Sequence, residues 1–170
     1  MRYIVGKFFV WFVFRVLSRV TVYGMERIPK DTSFIAVSNH AGRLDAGLVY
    51  YMLNRRDIIM LVAEKYRQHA WSRALVWAFD GIYIDRFNAD LNALREVFRR
   101  LKRGGVAVIA PEGTRSKSGK LIEGRDGASF IAARSGLIIM PGGLVGTQDA
   151  VVTDRLRHLK RLSKSVPRSR

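Results

Sequence analysis

Residues 33–45 read SFIAVSNHAGRLD, and the change of character within this stretch decides the fold. Ser33–Ser38 is short and mostly apolar, as expected of a strand buried on both faces. Asn39-His40-Ala41-Gly42 is small and polar, which suits a loop, and a helix is expected from Asp45 to Leu53. The same unit recurs outward from here. Ile58–Ala63 (IIMLVA) predicts a second buried strand, residues 64–79 a helix, and Ile82–Ile84 a third strand. In Ala89–Lys102 the apolar residues Leu91, Leu94, Val97, Phe98 and Leu101 recur at helical spacing, and Gly104-Gly105 stops that helix. Val106–Ala110 (VAVIA) predicts a fourth strand, Gly127–Ser135 a helix and Leu137–Met140 a fifth strand. Short buried strands alternating with helices predict an α/β class fold, a mostly parallel central sheet flanked by helices. In such sheets sites form where loops leave the carboxyl ends of strands. The two richest loops, 39–45 and 111–119, both leave strands that way.

Ahead of this unit lies YIVGKFFVWFVFRVLSRVTVY, residues 3–23. Its longest charge-free run, Phe8 to Phe14, is far short of the roughly 20 residues a membrane span requires. On a helical wheel Lys7, Arg15, Ser18 and Arg19 share about one third of the circumference. Phe9, Val10, Val13, Phe14, Leu17 and Val20 occupy the opposite arc, with Phe8 and Trp11 intruding on the polar sector. The expectation is an amphipathic helix over residues 1–22 lying in a membrane interface, its cations reaching for headgroups. A core helix packed on the domain is the alternative. Residues 23–154 are then one catalytic-sized domain, and the basic residues 155–170 read as a disordered tail.

The chain has 170 residues, 30 Lys and Arg against 14 Asp and Glu, a net charge of +16, and no cysteine. The cysteine count excludes disulfides, a thiol nucleophile and thiolate-bound metal. The three histidines, at 40, 69 and 158, are too scattered for a histidine-rich metal site, so no metal is expected. The charge calls for a polyanionic partner. It is spread over the body and concentrated in the tail without an aromatic–basic nucleic-acid signature. An anionic membrane surface is therefore expected, and nucleic acid is not.

Two loops carry the chemistry. In His40-Ala-Gly-Arg-Leu-Asp45, Gly42 permits a turn that returns the Asp45 carboxylate to the His40 Nδ1. The carboxylate would fix the tautomer and leave Nε2 to accept a proton. No serine or cysteine nucleophile stands beside the pair, so the proton would come from a bound hydroxyl. Alone, the spacing fits a structural pair as well. In Pro111-Glu-Gly-Thr-Arg-Ser116, Arg115 offers a planar fork for phosphate oxygens. Gly113 allows backbone N–H groups to approach an anion, and Thr114 and Ser116 add hydroxyls. A plain surface turn has a similar composition. Gly81–Arg86 places another arginine at a strand end. Backbone N–H groups near Gly42 or Gly113 are candidates to stabilise an oxyanion.

Taken in this order and spacing, Asn39-His40 with Asp45, Gly81–Arg86 and Pro111–Ser116 resemble the glycerolipid (lysophospholipid) acyltransferase family, 1-acylglycerol-3-phosphate acyltransferases in particular, over roughly residues 20–150. The resemblance implies that His40 is the general base and Asp45 its orienting partner. It implies that Glu112, Gly113, Thr114, Arg115 and Arg86 bind the acceptor phosphate, and that Pro141 belongs to a block on the acyl-donor side. Gly142-Gly143 departs from the usual apolar residue after that proline, and the chain ends earlier than is usual for the family. The implied substrates are a lysophospholipid acceptor and acyl-CoA or acyl-carrier protein as donor, with no resident cofactor. The implied place is the cytoplasmic face of an inner or plasma membrane.

Overall fold

The computed structural model describes residues 1–53, 55–116 and 118–148. Its centre is a parallel five-stranded sheet made of β1 (Ile35–Ser38), β2 (Ile58–Ala63), β3 (Ile82–Ile84), β4 (Val106–Ile109) and β5 (Ile139–Gly142), in the order β3-β2-β4-β1-β5. The helices are α1 (Arg2–Leu17), α2 (Asp45–Met52), α3 (Ala70–Phe79), α4 (Leu91–Leu101) and α5 (Gly127–Ser135). The expected tail, 155–170, lies outside the described residues.

The strands are apolar throughout because helices cover both sheet faces. Successive side chains alternate. Ile35, Ile59, Ile82 and Ala107 therefore meet Ala93, Val97 and Leu101 of α4 and Ile131 of α5. On the other face Ile58 and Met60 meet Tyr50 of α2 and Phe79 of α3. Helix α4 begins at Asp90, whose Oδ1 accepts the Ala93 N–H at 3.0 Å. Its strongly one-sided apolar pattern matches its seat on the sheet.

Three elements differ from the sequence expectation. Residues 64–79 split into a single 3-10 turn, Glu64–Tyr66, and then α3. The segment EKYRQH has no apolar face to bury; the buried side begins with Ser72, Leu75 and Phe79. Strand β5 starts at Ile139, two residues later than expected, since Leu137 packs into the core before the ladder begins. The ladder then takes in Pro141, which an edge strand tolerates because one side needs no N–H donor.

Helix α1 is the third difference. It packs on α2 and α3 through Tyr3, Gly6, Val10 and Phe14, forming a layer outside the sheet's own helices. Tyr3 meets Phe79 edge-on at 6.0 Å, and Phe14 meets Tyr51 at 5.5 Å. The opposite side is also apolar: Ile4, Val5, Phe8, Phe9, Trp11 and Phe12 are exposed. A clean split into a basic and an apolar half is not observed. The helix ends at Leu17, earlier than expected, where Ser18 turns extended (φ −145°, ψ 159°) and donates its hydroxyl to the Phe14 carbonyl. No helix among the described residues is long and apolar enough to cross a membrane.

Candidate active site

Strands β1 and β4 are neighbours and run in parallel, so the loops after them leave the same sheet edge side by side. Backbone and side-chain contacts fasten them together. The Ser116 N–H donates to the His40 carbonyl at 3.0 Å, and the His40 N–H donates to Glu112 Oε1 at 3.1 Å. The topology thus joins two motifs 72 residues apart.

Within the first loop the Asp45 carboxylate turns back over the chain. Its Oδ2 lies 2.7 Å from His40 Nδ1 and accepts the N–H groups of Ala41 at 2.8 Å and Gly42 at 3.0 Å. Asp45 is buried. Burial alone would raise its pKa, yet hydrogen bonds from His40, Thr147 and the Gly42 amide, with the imidazole charge, hold it below the ordinary carboxylate value. Asp45 Oδ1 and the Thr147 hydroxyl are both buried and make no hydrogen bond of ordinary geometry among the described residues, yet the hydroxyl is near enough to favour the ionised carboxylate. An ionised Asp45 fixes the proton on Nδ1, which leaves the Nε2 lone pair for a substrate proton. The His40 side chain is 32% exposed, enough for a reactant to reach it.

Gly42 has a steric role. A Cβ there would lie 1.7 Å from the Thr147 carbonyl oxygen, so the segment after β5 presses directly on the His40–Asp45 turn. Asn39 holds that segment from the other side. Its Nδ2 donates to the Leu144 carbonyl at 2.8 Å, and its Oδ1 accepts the Leu144 N–H at 2.7 Å. The sequence pairs Asn39 with His40 as a motif but gives no sign of this role, because its partner is 105 residues away. Thr147 carried no signal at all.

Arg115 is half-buried, and its guanidinium reaches the Tyr66 hydroxyl at 3.4 Å, which draws in the loop after β2. Gly113 is left-handed (φ 63°), and Arg125 lies against it. Arg125 also donates to the Arg86 carbonyl at 3.1 Å and stacks over Phe87 at 5.4 Å. The β3 and β4 loops are joined this way, with Arg86 over the same ring at 5.8 Å. Arg125 has no signal in the sequence, because it follows the glycine- and serine-rich stretch with no motif of its own. Thr114 is exposed.

The Glu112 carboxylate is buried beneath the loop, and its Oε1 accepts the His40 N–H, which ties the two loops together. Pro141 is exposed in β5, paired in register with Val37. Two of the candidate oxyanion donors are already engaged. The Gly42 N–H is engaged by Asp45 and the Gly113 N–H by the Ala110 carbonyl at 3.0 Å. Among the described residues no cluster of His, Cys, Asp and Glu could hold a metal ion.

A family profile described as Acyltransferase matches residues 19–145, a span that contains both loops. The chain belongs to the acyltransferase family. Its curated relatives include the chloroplastic 1-acyl-sn-glycerol-3-phosphate acyltransferase LPAT1 of Arabidopsis thaliana, 27% identical over 136 residues, covering 76% of this chain and 36% of the relative. The alpha 1-acyl-sn-glycerol-3-phosphate acyltransferase of Mus musculus is 30% identical over 135 residues, covering 77% and 47%. The chain thus spans between a third and a half of the length of these relatives. Among solved structures, the 1-acyl-sn-glycerophosphate acyltransferase of Thermotoga maritima shares the acyltransferase fold. The TM-score is 0.65 at 22% identity, covering 98% of this chain and 81% of that one.

Proposed function

We propose that this protein transfers a fatty acyl group from an acyl thioester to the free hydroxyl of a lysophosphatidate-type acceptor at an anionic membrane surface. The observation that carries the reading is the 2.7 Å contact between His40 Nδ1 and a buried Asp45, backbone-linked to the loop that bears Arg115.

In this mechanism His40 Nε2 takes the proton of the acceptor hydroxyl as its oxygen attacks the thioester carbonyl. The tetrahedral intermediate collapses, the C–S bond breaks, and the imidazolium returns the proton to the departing thiolate. Asp45 stabilises the imidazolium throughout. No acyl-enzyme is needed, because the thioester is already activated. General-base help contributes on the order of 10²–10⁴-fold, and positioning the rest. Arg115 on the β4 loop is the candidate for the acceptor's phosphate monoester, with Arg86 on the β3 loop and Arg125, which share the Phe87 ring, as further candidates. Acyl-CoA and acyl-carrier protein both supply the required thioester.

The test is purified full-chain protein with lysophosphatidate and each donor, read as phosphatidate formed. His40→Ala should lower kcat/KM by about 10²–10⁴-fold. Arg115→Ala should raise KM for phosphorylated acceptors and leave a non-phosphate alcohol unaffected. Equal turnover by wild type and His40→Ala would end the assignment.

A further inference from the structure

The segment that joins β2 to α3 presents an aromatic cluster outside the His40 pair. Tyr66, His69 and Trp71 form a triangle, with ring centroids 6.2 Å apart for Tyr66 and His69, 5.7 Å for Tyr66 and Trp71, and 6.1 Å for His69 and Trp71. The His69 and Trp71 rings lie within 17° of parallel, and both residues are exposed. These rings are not part of the core, yet the segment that carries them is fixed. The Arg73 guanidinium donates to the carbonyls of Gln68 at 2.9 Å and Arg67 at 3.3 Å. The hydroxyl of the fully buried Ser72 lies 3.1 Å from that of Tyr83, which anchors the first turn of α3 to β3. His69 is the N-cap of α3 without a side-chain cap bond, so its ring serves the cluster. Rings held in place before a ligand arrives lower the entropy cost of binding it.

The cluster stands at the right edge of the sheet. Strand β2 is parallel to β4 and beside it, so this segment leaves the sheet alongside the His40 and Arg115 loops. Contacts run without a break from the Trp71 ring to Tyr66, from the Tyr66 hydroxyl to Arg115 at 3.4 Å, and from the adjoining Ser116 N–H to the His40 carbonyl at 3.0 Å. A cation also stands against the rings, with Lys65 Nζ 5.2 Å from the Tyr66 centroid. That cation decides what the cluster can take. It repels a quaternary ammonium, which three rings alone would suit, and it favours a ligand that is flat and negatively charged. The bilayer interior is a poor match, since exposed Glu64, Arg67 and Gln68 on the same segment would lose their hydration along with the rings.

We propose that this segment holds the nucleotide end of a CoA thioester, with the adenine base stacked on Trp71 and His69 and a phosphate beside Lys65. The inference rests on the acyl-thioester reading and selects between its two donors. Acyl-CoA carries a flat base and phosphates, which match the rings and the cation. Acyl-carrier protein carries no base and would leave the rings unused. Stacking needs no hydrogen-bond readout, so two exposed rings suffice to seat a base. The pantetheine arm separates the nucleotide from the thioester, so the acyl group reaches His40 while the base stays on the rings.

The experiment is titration calorimetry of the full chain with CoA and with pantetheine, which lacks the nucleotide. Loss of one stacking ring costs about five- to 150-fold in affinity. Trp71→Ala should weaken CoA binding within that range, Trp71→Phe should restore most of it, and pantetheine should bind all three proteins alike. Trp77→Ala removes an exposed ring of α3 that meets Arg2, and it should bind CoA as wild type does. In turnover, the ratio of kcat/KM for acyl-CoA to that for acyl-pantetheine should fall in Trp71→Ala by the same factor as CoA affinity. Trp71 is 58% exposed, so its loss leaves the core intact, and His69→Ala supplies a second test. Equal CoA affinity in wild type and Trp71→Ala, or equal losses toward CoA and pantetheine, would overturn the proposal. Binding of acyl-carrier protein but not CoA by wild type would overturn the choice of donor. Loss of vesicle binding in Trp71→Ala with CoA affinity intact would overturn it too and assign the rings to a bilayer. CoA binding that depends on Trp71, with no acyl transfer from any donor, would support the nucleotide site and end the acyl-transfer reading instead.

Discussion

At the scale of single residues, the His40–Asp45 turn is held by a carboxylate with several simultaneous tasks. Asp45 orients His40, accepts two backbone N–H groups and meets Thr147 in a dry setting. Asp45→Asn keeps the shape but cannot accept from all these donors, and it no longer favours the Nδ1–H tautomer. Turnover should fall by about 10²–10⁴-fold with little change in KM, read from steady-state kinetics. The carboxylate also links stability to pH. Its folded pKa lies below the reference value of 3.8, so the ionised form is favoured by folding. That contribution is complete above the reference value and is lost as pH falls through the lower folded value. Acid melts should therefore show a steep loss of Tm below about pH 4, and Asp45→Asn should flatten it. Gly42→Ala tests the other side of the turn. Its Cβ would overlap the Thr147 carbonyl, and overpacking of this kind costs about 1–3 kcal/mol, measurable by urea unfolding.

At the scale of elements, α1 has two apolar faces in different settings, one packed and one exposed. Phe14 is 6% exposed and packs against Leu48 and Leu144, whereas Phe9 is 66% exposed. Phe14→Ala should cost about 3–5 kcal/mol of stability; Phe9→Ala should leave the melting temperature unchanged and weaken vesicle binding. A helix with only one functional face would give the same response at both positions. The same element marks the limit of what the sequence discloses. Strands β2 and β3 and helix α5 have the bounds their composition predicts, because a run such as IIMLVA has one way to be buried in a parallel sheet. In α1 the wheel groups Phe9 with Phe14, since both are apolar and periodicity cannot say which arc a tertiary partner will cover. The site divides along similar lines. The His40–Asp45 contact is readable because a local turn makes it. The Asn39–Leu144 clamp, the Thr147 contact and the Arg125 bridge are not, because each depends on strand order, and β1 lies between β4 and β5 only in the folded sheet.

At the scale of the molecule, the exposed apolar face of α1 and the net charge of +16 would contribute to the proposed binding of an anionic bilayer by different physics. Burial of exposed aromatic side chains in a bilayer is insensitive to salt, whereas attraction to anionic headgroups is screened within a Debye length, about 10 Å at 0.1 M ionic strength. The two contributions should therefore separate in one titration. Raising salt should weaken binding to anionic vesicles until it meets the level seen with neutral vesicles, and binding should then level off. Phe8→Ser/Phe12→Ser should lower the plateau and leave the salt-sensitive part, because Phe8 and Phe12 are exposed on α1 and carry no charge. Helix α1 also touches α2, which begins with Asp45. Losing the plateau should consequently depress turnover of a bilayer-embedded acceptor while a monodisperse acceptor is processed at the wild-type rate. Equal depression on both acceptors would mean that the helix supports the catalytic turn by packing alone, with no part in bringing the site to the membrane.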